Sequence, residues 1–504
     1  MVQSTVPTRY AQLVVEREPY VTRARAAASL TIPSTFPPSE ANGSTSLPTP
    51  YQGFGARALK ALTAKIALAM LPANSPFFRL MVSEADLADS SEETRGKVEE
   101  SLAAIERLVV QELESLKLRP IMNSSMMQLL VAGNVLLYVG ADGAKFYRLD
   151  KYVVKRNGFG EPVEIIIKEQ ISKDNIPAHI RAKVLEDVDQ TQKTFDLYTV
   201  VKRKGSKWRR HQEIKGHVLP ETRATYQKDR CPYLPLRLVV MDGEDYGRGY
   251  VEEHIGDLHS LENLTKAIVE AALASAKIIW LVNPNGTTKT SNLNKAKNGD
   301  FVAGIREEID ALQLDKFADL SVARQTAVEM EQGLAQAFLM NTSVQRDAER
   351  VTAQEIRVVS QELETILGGV YSLLSEELQL PLVNVIIGRL TASGDLPALP
   401  KDTLKPRVIT GLDGLGRGQD IQRLQGFISG ISQLVGPEAV ANVLNLPEFC
   451  SRWAAAWSVD SKDLVKTSEE LNQNNQQNVN MQLLQSLGPD LLKQMQASQG
   501  NPNG

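Results

Sequence analysis

Five histidines and two cysteines are the whole stock of soft metal-ligating side chains in this 504-residue chain. His254 and His259 stand five apart in a helical pattern, which places them on different faces. A metal-binding helix presents its histidines at i and i+4 instead. Cys231 and Cys450 are distant and in unrelated contexts, so neither a disulfide framework nor a thiolate zinc site is indicated, and a reducing compartment fits. The glycine-rich run Thr410-Gly-Leu-Asp-Gly-Leu-Gly-Arg-Gly418 lacks the Lys-Ser/Thr ending that reaches nucleotide phosphates and misses the dinucleotide fingerprint spacing. It reads as a structural turn with helix capping. In Gly426-Phe-Ile-Ser-Gly430 the serine is displaced by one from a nucleophile elbow. No catalytic triad, paired acids or ATP signature emerges, and no cofactor or metal is expected.

Two charged constellations remain. In Lys202-Arg-Lys-Gly-Ser-Lys-Trp-Arg-Arg210 six cations, Lys202, Arg203, Lys204, Lys207, Arg209 and Arg210, surround a Gly-Ser turn and Trp208. A hairpin tip of this kind can touch phosphate. The plainer expectation, and the favoured one, is a solvated edge hairpin made positive to discourage edge pairing. The second constellation, Gln345-Arg-Asp-Ala-Glu-Arg350, sets Arg346 and Arg350 against Asp347 and Glu349. Mixed charge cannot grip a duplex tightly, though it can bridge to neighbours or touch phosphates transiently.

The elements that must position these groups give the second constellation its interest. Behind it, Thr352 and Glu355 form a capping box, and Ile356, Val359, Leu363, Leu367, Val370 and Leu374 recur at helical spacing to about Leu390. Gly368-Gly369 predicts a weak point and Pro381 a kink or break. Tyr250 to Trp280 reads as one helix, about 45 Å long at 1.5 Å per residue. Ile278–Val282 and Asp300–Ile305 read as short strands flanking a lysine-rich connection, 287–298, and Leu320–Met340 returns to helix. Helix, small module, helix, charged loop and long helix, with no catalytic signature, is the pattern of a machine part.

Earlier in the chain, residues 1–35 read as a helical arm broken at Pro19 and ended at Pro33, followed by an extended Pro/Ser/Thr-rich segment, 31–50. Leu59, Leu62, Ile66 and Met70 mark a helix, and Val98 to Leu116 another that stops before Pro120. Pro120–Ala141 is a poor membrane span because Asn123, Gln128 and Asn134 interrupt it, and it reads as a helix followed by a buried strand. Residues 135–139, 146–149, 163–168, 195–201 and 236–240 read as strands, with turns at Asp142-Gly143 and Asn157-Gly158. Residues 1–249 are therefore expected to be α+β. The region 419–465 reads as helical, and the tail is low-complexity, with nine Asn/Gln in the eleven positions 472–482.

A composition of 42% hydrophobic and 23% charged residues excludes wholesale disorder, and the length allows two or three cores. The net charge of −4 argues against a protein that coats nucleic acid by bulk attraction. Residues 1–79 carry eight Lys/Arg against three Asp/Glu, so the remainder is more acidic than the whole. No signal-peptide pattern opens the chain, and a soluble protein made in the cytosol is expected.

Longer segments carry a resemblance. Pro19-Tyr-Val-Thr-Arg-Ala-Arg25, Val131-Ala-Gly-Asn-Val-Leu-Leu-Tyr138, Tyr246-Gly-Arg-Gly-Tyr-Val-Glu-Glu-His-Ile-Gly-Asp-Leu258, Gln345-Arg-Asp-Ala-Glu-Arg-Val-Thr352 and Gly414-Leu-Gly-Arg-Gly-Gln-Asp420 occur in one collinear order. Through these and similar segments, residues 17–425 resemble the portal, or head-to-tail connector, proteins of short-tailed phages of the autographivirus type. The last 80 residues match weakly.

The resemblance implies an α+β, mainly α portal fold in a virion, built as a twelve-subunit ring at one capsid vertex. It implies assembly in the host cytoplasm, no membrane, and duplex DNA passing through a central channel during packaging and ejection. Implied partners are further copies of the chain, the terminase large subunit, a tail adaptor, the major capsid and scaffolding proteins, and internal core proteins. Residues 1–249 would be the wing, 250–280 and 319–340 the stem, and 281–318 the clip. Residues 341–351 would be a tunnel loop carrying Arg346, Asp347, Glu349 and Arg350. The long helix of 352–400 would run towards a crown, 401–470, with the tail at 471–504. Lys289, Lys295 and Lys297 become candidate clip contacts to terminase or tail adaptor. Two other readings stay in view: a cytosolic nucleotide-dependent enzyme using the turn at 411–418, and a DNA-binding regulator using the hairpin at 202–210.

Overall fold

The computed structural model describes residues 5–72, 77–82, 92–140, 143–185, 192–275, 279–312, 317–340, 353–367, 369–396, 407–411, 426–431, 433 and 449. In chain order its helices are α1 (Val6–Ser29), α2 (Phe54–Met70), α3 (Glu92–Ser115), α4 (Leu118–Ala132), α5 (Ala178–Leu185), α6 (Tyr250–Glu253), α7 (Ile255–Ser275), α8 (Thr290–Leu293), α9 (Phe317–Ala337), α10 (Ala353–Ile366), α11 (Val370–Leu374) and α12 (Leu380–Ser393). Its strands are β1 (Arg79–Met81), β2 (Asn134–Gly140), β3 (Gly143–Arg148), β4 (Tyr152–Arg156), β5 (Pro162–Ser172), β6 (Thr194–Lys204), β7 (Lys207–Ile214), β8 (His217–Gln227), β9 (Tyr233–Arg237), β10 (Ile279–Val282), β11 (Ile309–Leu312) and β12 (Arg407–Ile409). Two compact units result, one of residues 1–75 with 112–394, the other of 76–111 with 395–504.

The larger unit is built on two antiparallel sheets, β3-β2-β9 and β4-β5-β6-β7-β8. The strands expected at 135–139, 146–149, 163–168, 195–201 and 236–240 overlap β2, β3, β5, β6 and β9. Helix α1 covers one face of the five-stranded sheet, where Tyr10 and Leu13 pack with Val153, Ile166, Tyr198 and Val200. Arg17 is buried in this layer and donates to the carbonyls of Tyr152 at 2.9 Å and Asp150 at 3.1 Å. Helix α1 runs through Pro19 without the expected break. Pro19 is exposed, and Val15, whose carbonyl loses its helical donor, is 73% exposed, so water can satisfy that group. The helix expected from Val98 to Leu116 does stop before Pro120, as α3 at Ser115, and Pro120 lies in the first turn of α4, where its missing N–H removes no helical bond.

Between α4 and β2 the chain turns at Gly133, with φ of 68°. A Cβ there would sit 2.2 Å from the carbonyl carbon of Arg248, so only glycine fits. Asn134 fixes the same crossing: its amide donates to the carbonyls of Ala132 and Gly247, and its oxygen accepts from the Gly247 N–H at 2.8 Å. The helix-then-strand reading of 120–141 is what forms.

The helical run after residue 352 breaks at Gly369, whose φ of 89° ends the run begun by α10. It then passes through a π-helical turn, Ser375–Gln379, into α12, which has Pro381 in its first turn. The π turn presents Glu377 to β9, where its carboxylate accepts from the Arg237 N–H at 2.9 Å and from the Arg237 guanidinium at 3.0 and 2.6 Å. Arg156, which lies 3.9 Å from the same carboxylate, donates to the carbonyls of Pro235, Asp245 and Gly160. Burial lowers the Arg156 pKa to about 10, opposed chiefly by Glu377, so the guanidinium stays charged at neutral pH. The apolar stretch Val370–Ser393 is long enough to cross a membrane, but Leu374, Leu378, Leu382, Val383 and Ile386 are buried within this unit, as in a core helix.

The smaller unit pairs β1 with β12, Leu80 opposite Val408, beside the buried Phe78, Val98, Leu102, Ile105 and Val109. The Leu80 N–H donates to the Glu106 carboxylate at 2.7 Å. Most of the expected helical region 419–465, the tail 471–504 and the loop 341–351 lie outside the described residues.

Glu377→Leu leaves two buried guanidiniums short of their carboxylate and should cost about 3 kcal/mol, the scale of a broken buried ion pair. The urea midpoint of the full chain should fall accordingly; an unchanged midpoint would show that the network adds nothing to stability.

Candidate functional site

Helices α7 and α9 pack as a pair, joined at one end by a described small module and rooted at the other in the larger unit. At the root the Tyr250 hydroxyl donates to the Ala337 carbonyl at 2.8 Å, and the rings of Tyr250, His254 and Phe338 lie within 5.3 Å of one another. Burial lowers the His254 pKa, which favours the neutral ring of a packing residue. The expected single helix from Tyr250 to Trp280 is interrupted at His254, and Trp280 lies in β10. Glu262 accepts the backbone N–H groups of Tyr51 and Gln52, each at 3.0 Å, which ties the extended segment before α2 to α7.

Beyond this root the pair is exposed. Leu273 is 64% and Val322 68% exposed, and Val269 and Val328 are open as well. Between the helices β10 and β11 pair with Trp280 opposite Ala311. The second strand therefore forms at 309–312 rather than the expected 300–305. The Ile305 N–H is taken by the Thr288 hydroxyl at 2.9 Å, and Thr288 itself donates to Glu308 at 2.6 Å. Glu308 also accepts the N–H groups of Thr287 and Thr288, and these bonds, the Thr288 hydroxyl first, hold its carboxyl below the usual range. Lys289, Lys295 and Lys297 are exposed here, as are Leu281, Phe301 and Ile305.

Where α9 ends, Leu339 adopts a left-handed φ of 58°, and its carbonyl accepts from buried Lys65 of α2 at 2.5 Å. The same ammonium lies 4.0 Å from Glu362 of α10. Burial lowers the Lys65 pKa, partly opposed by Glu362. Lys65 thus ties together the two chain segments that flank residues 341–352. Arg346, Asp347, Glu349 and Arg350 lie outside the described residues. Sequence reasoning missed Lys65, whose only signal is a cation on the otherwise apolar stripe of α2.

The basic hairpin forms as expected, with Lys204 opposite Lys207 across Gly205 and Ser206. It is not an edge: β7 is paired with β6 on one side and β8 on the other. The edge-protection reading is therefore corrected, because β8 carries the free edge. Trp208 is buried opposite Arg203 and Tyr226, on the face away from α1. Arg203 pairs with Glu161 at 2.9 Å, and Lys228 with the same carboxylate at 2.8 Å. Lys228, then Arg203, then Asn157 hold the Glu161 carboxyl down at about 2. Lys202 pairs with Glu164 at 3.2 Å, and Arg210 is half-buried with a hydrogen bond to Tyr226. Among the described residues Lys204, Lys207 and Arg209 have no carboxylate partner. Burial pushes the Cys231 thiol up to about 12, which leaves it unreactive at neutral pH.

The family described as bacteriophage head to tail connecting protein matches residues 3–465. The chain belongs to this family. It is 41% identical to the portal protein of Escherichia phage T7 over 97% of this chain and 93% of that one. The portal protein of Enterobacteria phage T3 is likewise 41% identical, over 92% of this chain and 88% of its own. That of Pseudomonas phage phiKMV is 30% identical over 84% of each. Among solved structures, the neck of an empty GTA particle gives a TM-score of 0.37 at 12% identity, covering 75% of this chain and 86% of that one, too distant to carry an argument.

Connector proteins of this kind are structural and non-enzymatic, and neither the nucleotide-dependent enzyme nor the DNA-binding regulator gains support from these relatives. Among the described residues no group of His, Cys, Asp and Glu is placed to hold a metal ion. In a connector the working parts are surfaces and a passage, and the helix pair, the module at 279–312 and the hairpin are the described surfaces in question.

Proposed function

We propose that this protein is the portal of a short-tailed phage: a virion component at the head-tail junction, forming a ring through which duplex DNA is packaged and later ejected, and to which the tail attaches. The observation that carries the ring is the helix pair. Val269, Leu273, Val322 and Val328 stand exposed on helices that project beyond their root, and such side chains call for cover by another surface. Further copies of the same chain, arranged head to tail and closed by rotation, supply it. Twelve copies is the number that the family resemblance supports. In this reading α7 and α9 are the stem, 281–318 the clip, 1–249 the wing, and the chain from residue 352 leads towards the crown at 401–470.

A non-enzymatic chain fits the task. A channel must let DNA slide, so strong phosphate binding along its wall would stall packaging, and a chain of net charge −4 meets that requirement better than a basic one. Work on DNA then belongs to the terminase large subunit, and the clip, where Lys289, Lys295 and Lys297 are open to solvent, is the proposed contact for terminase or tail adaptor. The major capsid, scaffolding and internal core proteins are the remaining proposed partners, and assembly in the host cytoplasm is the proposed site. Arg346 and Arg350, with Asp347 and Glu349 offsetting them, are proposed to approach the DNA at the narrowest part of the passage.

Leu273→Glu with Val322→Glu leaves buried residues untouched and should yield folded but slowly sedimenting subunits in analytical ultracentrifugation. Rings formed as readily as in the parent protein would contradict a subunit interface on the helix pair. Arg346→Ala with Arg350→Ala should shorten the packaged DNA or let it leak from filled heads. Full-length, retained DNA would remove the two arginines from the passage.

A further inference from the structure

The register of the five-stranded sheet sorts the hairpin's cations in a way that sequence alone does not show. Side chains directly opposite one another share a face, and neighbours in one strand alternate. Glu164, Lys202, Arg209 and Thr225 stand opposite in turn across β5, β6, β7 and β8. Lys204, Lys207 and Gln227 form the next row. These residues share the face that carries Ile166, Tyr198 and Val200 beneath α1. Arg223 lies in the irregular stretch of β8 beside Ala224, and its charge is felt by His211, itself opposite Val200 on that face. Arg203, Trp208 and Tyr226 point the other way.

Five cations therefore occupy one exposed corner of one face, with Glu164 the nearby carboxylate, paired to Lys202 and Arg9. Two of the cross-strand pairs, Lys202 with Arg209 and Lys204 with Lys207, set like charges directly opposite, an arrangement that destabilises a sheet. Edge protection does not account for it, since β7 is an inner strand. An external anion lying across the rows would offset this repulsion.

We propose that the face formed by Lys202, Lys204, Lys207, Arg209 and Arg223 docks the phosphate backbone of duplex DNA. The two rows offer charge with the hydrogen-bonding Thr225 and Gln227 and no apolar or aromatic side chain of their own: Trp208 is buried on the opposite face, and the exposed Phe159 belongs to the neighbouring β4–β5 turn. Protein interfaces gather energy from such anchors, whereas phosphate backbones are held by charge and hydrogen bonds. The inference goes beyond the portal reading: it gives the protein a DNA contact on the α+β body, distinct from the loop at 341–351.

The test measures binding of the full-length protein to a fluorescent 25-base-pair duplex from 50 to 200 mM salt. Replacing Lys204, Lys207, Arg209 and Arg223 together with Gln should flatten the log–log salt slope by about 3 to 4, roughly 0.9 per lost phosphate contact. Lys289, Lys295 and Lys297 changed together to Gln should leave the slope in place, and Arg209→Lys, which keeps the charge, should retain binding. The proposal fails if the parent protein does not bind the duplex at 50 mM salt. It also fails if the hairpin and module variants lose slope equally, or if an acidic polypeptide binds the face more tightly than DNA at matched salt. Rings that form normally while the hairpin variant binds as the parent does would defeat this inference and leave the portal reading intact.

Discussion

The Glu377 carboxylate is the point on which the larger unit turns. Glu377 comes from the π-helical turn, Arg237 from β9 of the small sheet and Arg156 from β4 of the large one, and Arg156 also holds the carbonyls of Pro235, Gly160 and Asp245. Two sheets, a connecting loop and a long helical run therefore share one ionic cluster. An α-helix uninterrupted through 375–379 would place its side chains in a different rotation, so the wide turn is what aims Glu377 at β9. Ion pairs buried this deeply add little net stability but penalise every alternative that separates them, which favours one arrangement of sheets and helix.

That arrangement sets the root from which the helix pair projects. Tyr250, His254 and Phe338 close the root by ring packing, Glu262 fastens α7 to the chain before α2, and Lys65 joins the end of α9 to α10. Tight packing and buried polar ties at the base, with apolar side chains left open further out, is the distribution expected of a subunit that completes itself against its neighbours. A connector must bear load without consuming fuel, and nothing in the described residues competes with that assignment.

Much of this was legible in the sequence, for identifiable reasons. Ile165-Ile-Ile167 and Tyr198 to Val201 announce strands through β-branched and aromatic residues whose neighbours can be buried on both faces, and Gly369 marks its break because few residues adopt a left-handed backbone. What misled was local grammar overridden by surroundings. Pro19 should end a helix, yet the carbonyl it orphans faces water. The strand assigned to 300–305 lost its backbone donor to Thr288, a competition invisible without the fold. The hairpin cations were countable from sequence, but their sorting onto two faces, and the inner position of β7, depend on strand order. Glu377 gave no local signal and Lys65 only a lone cation on a mostly apolar helix face, because their partners lie more than a hundred residues away.

The most direct test of the account is electron microscopy of the purified protein, with the rotational symmetry counted and the axis inspected. The account predicts closed rings, twelvefold in symmetry, with an axial hole wide enough for a DNA duplex. Closed particles with no axial passage, or a protein that stays monomeric both alone and when assembled with capsid and scaffolding proteins, would contradict it.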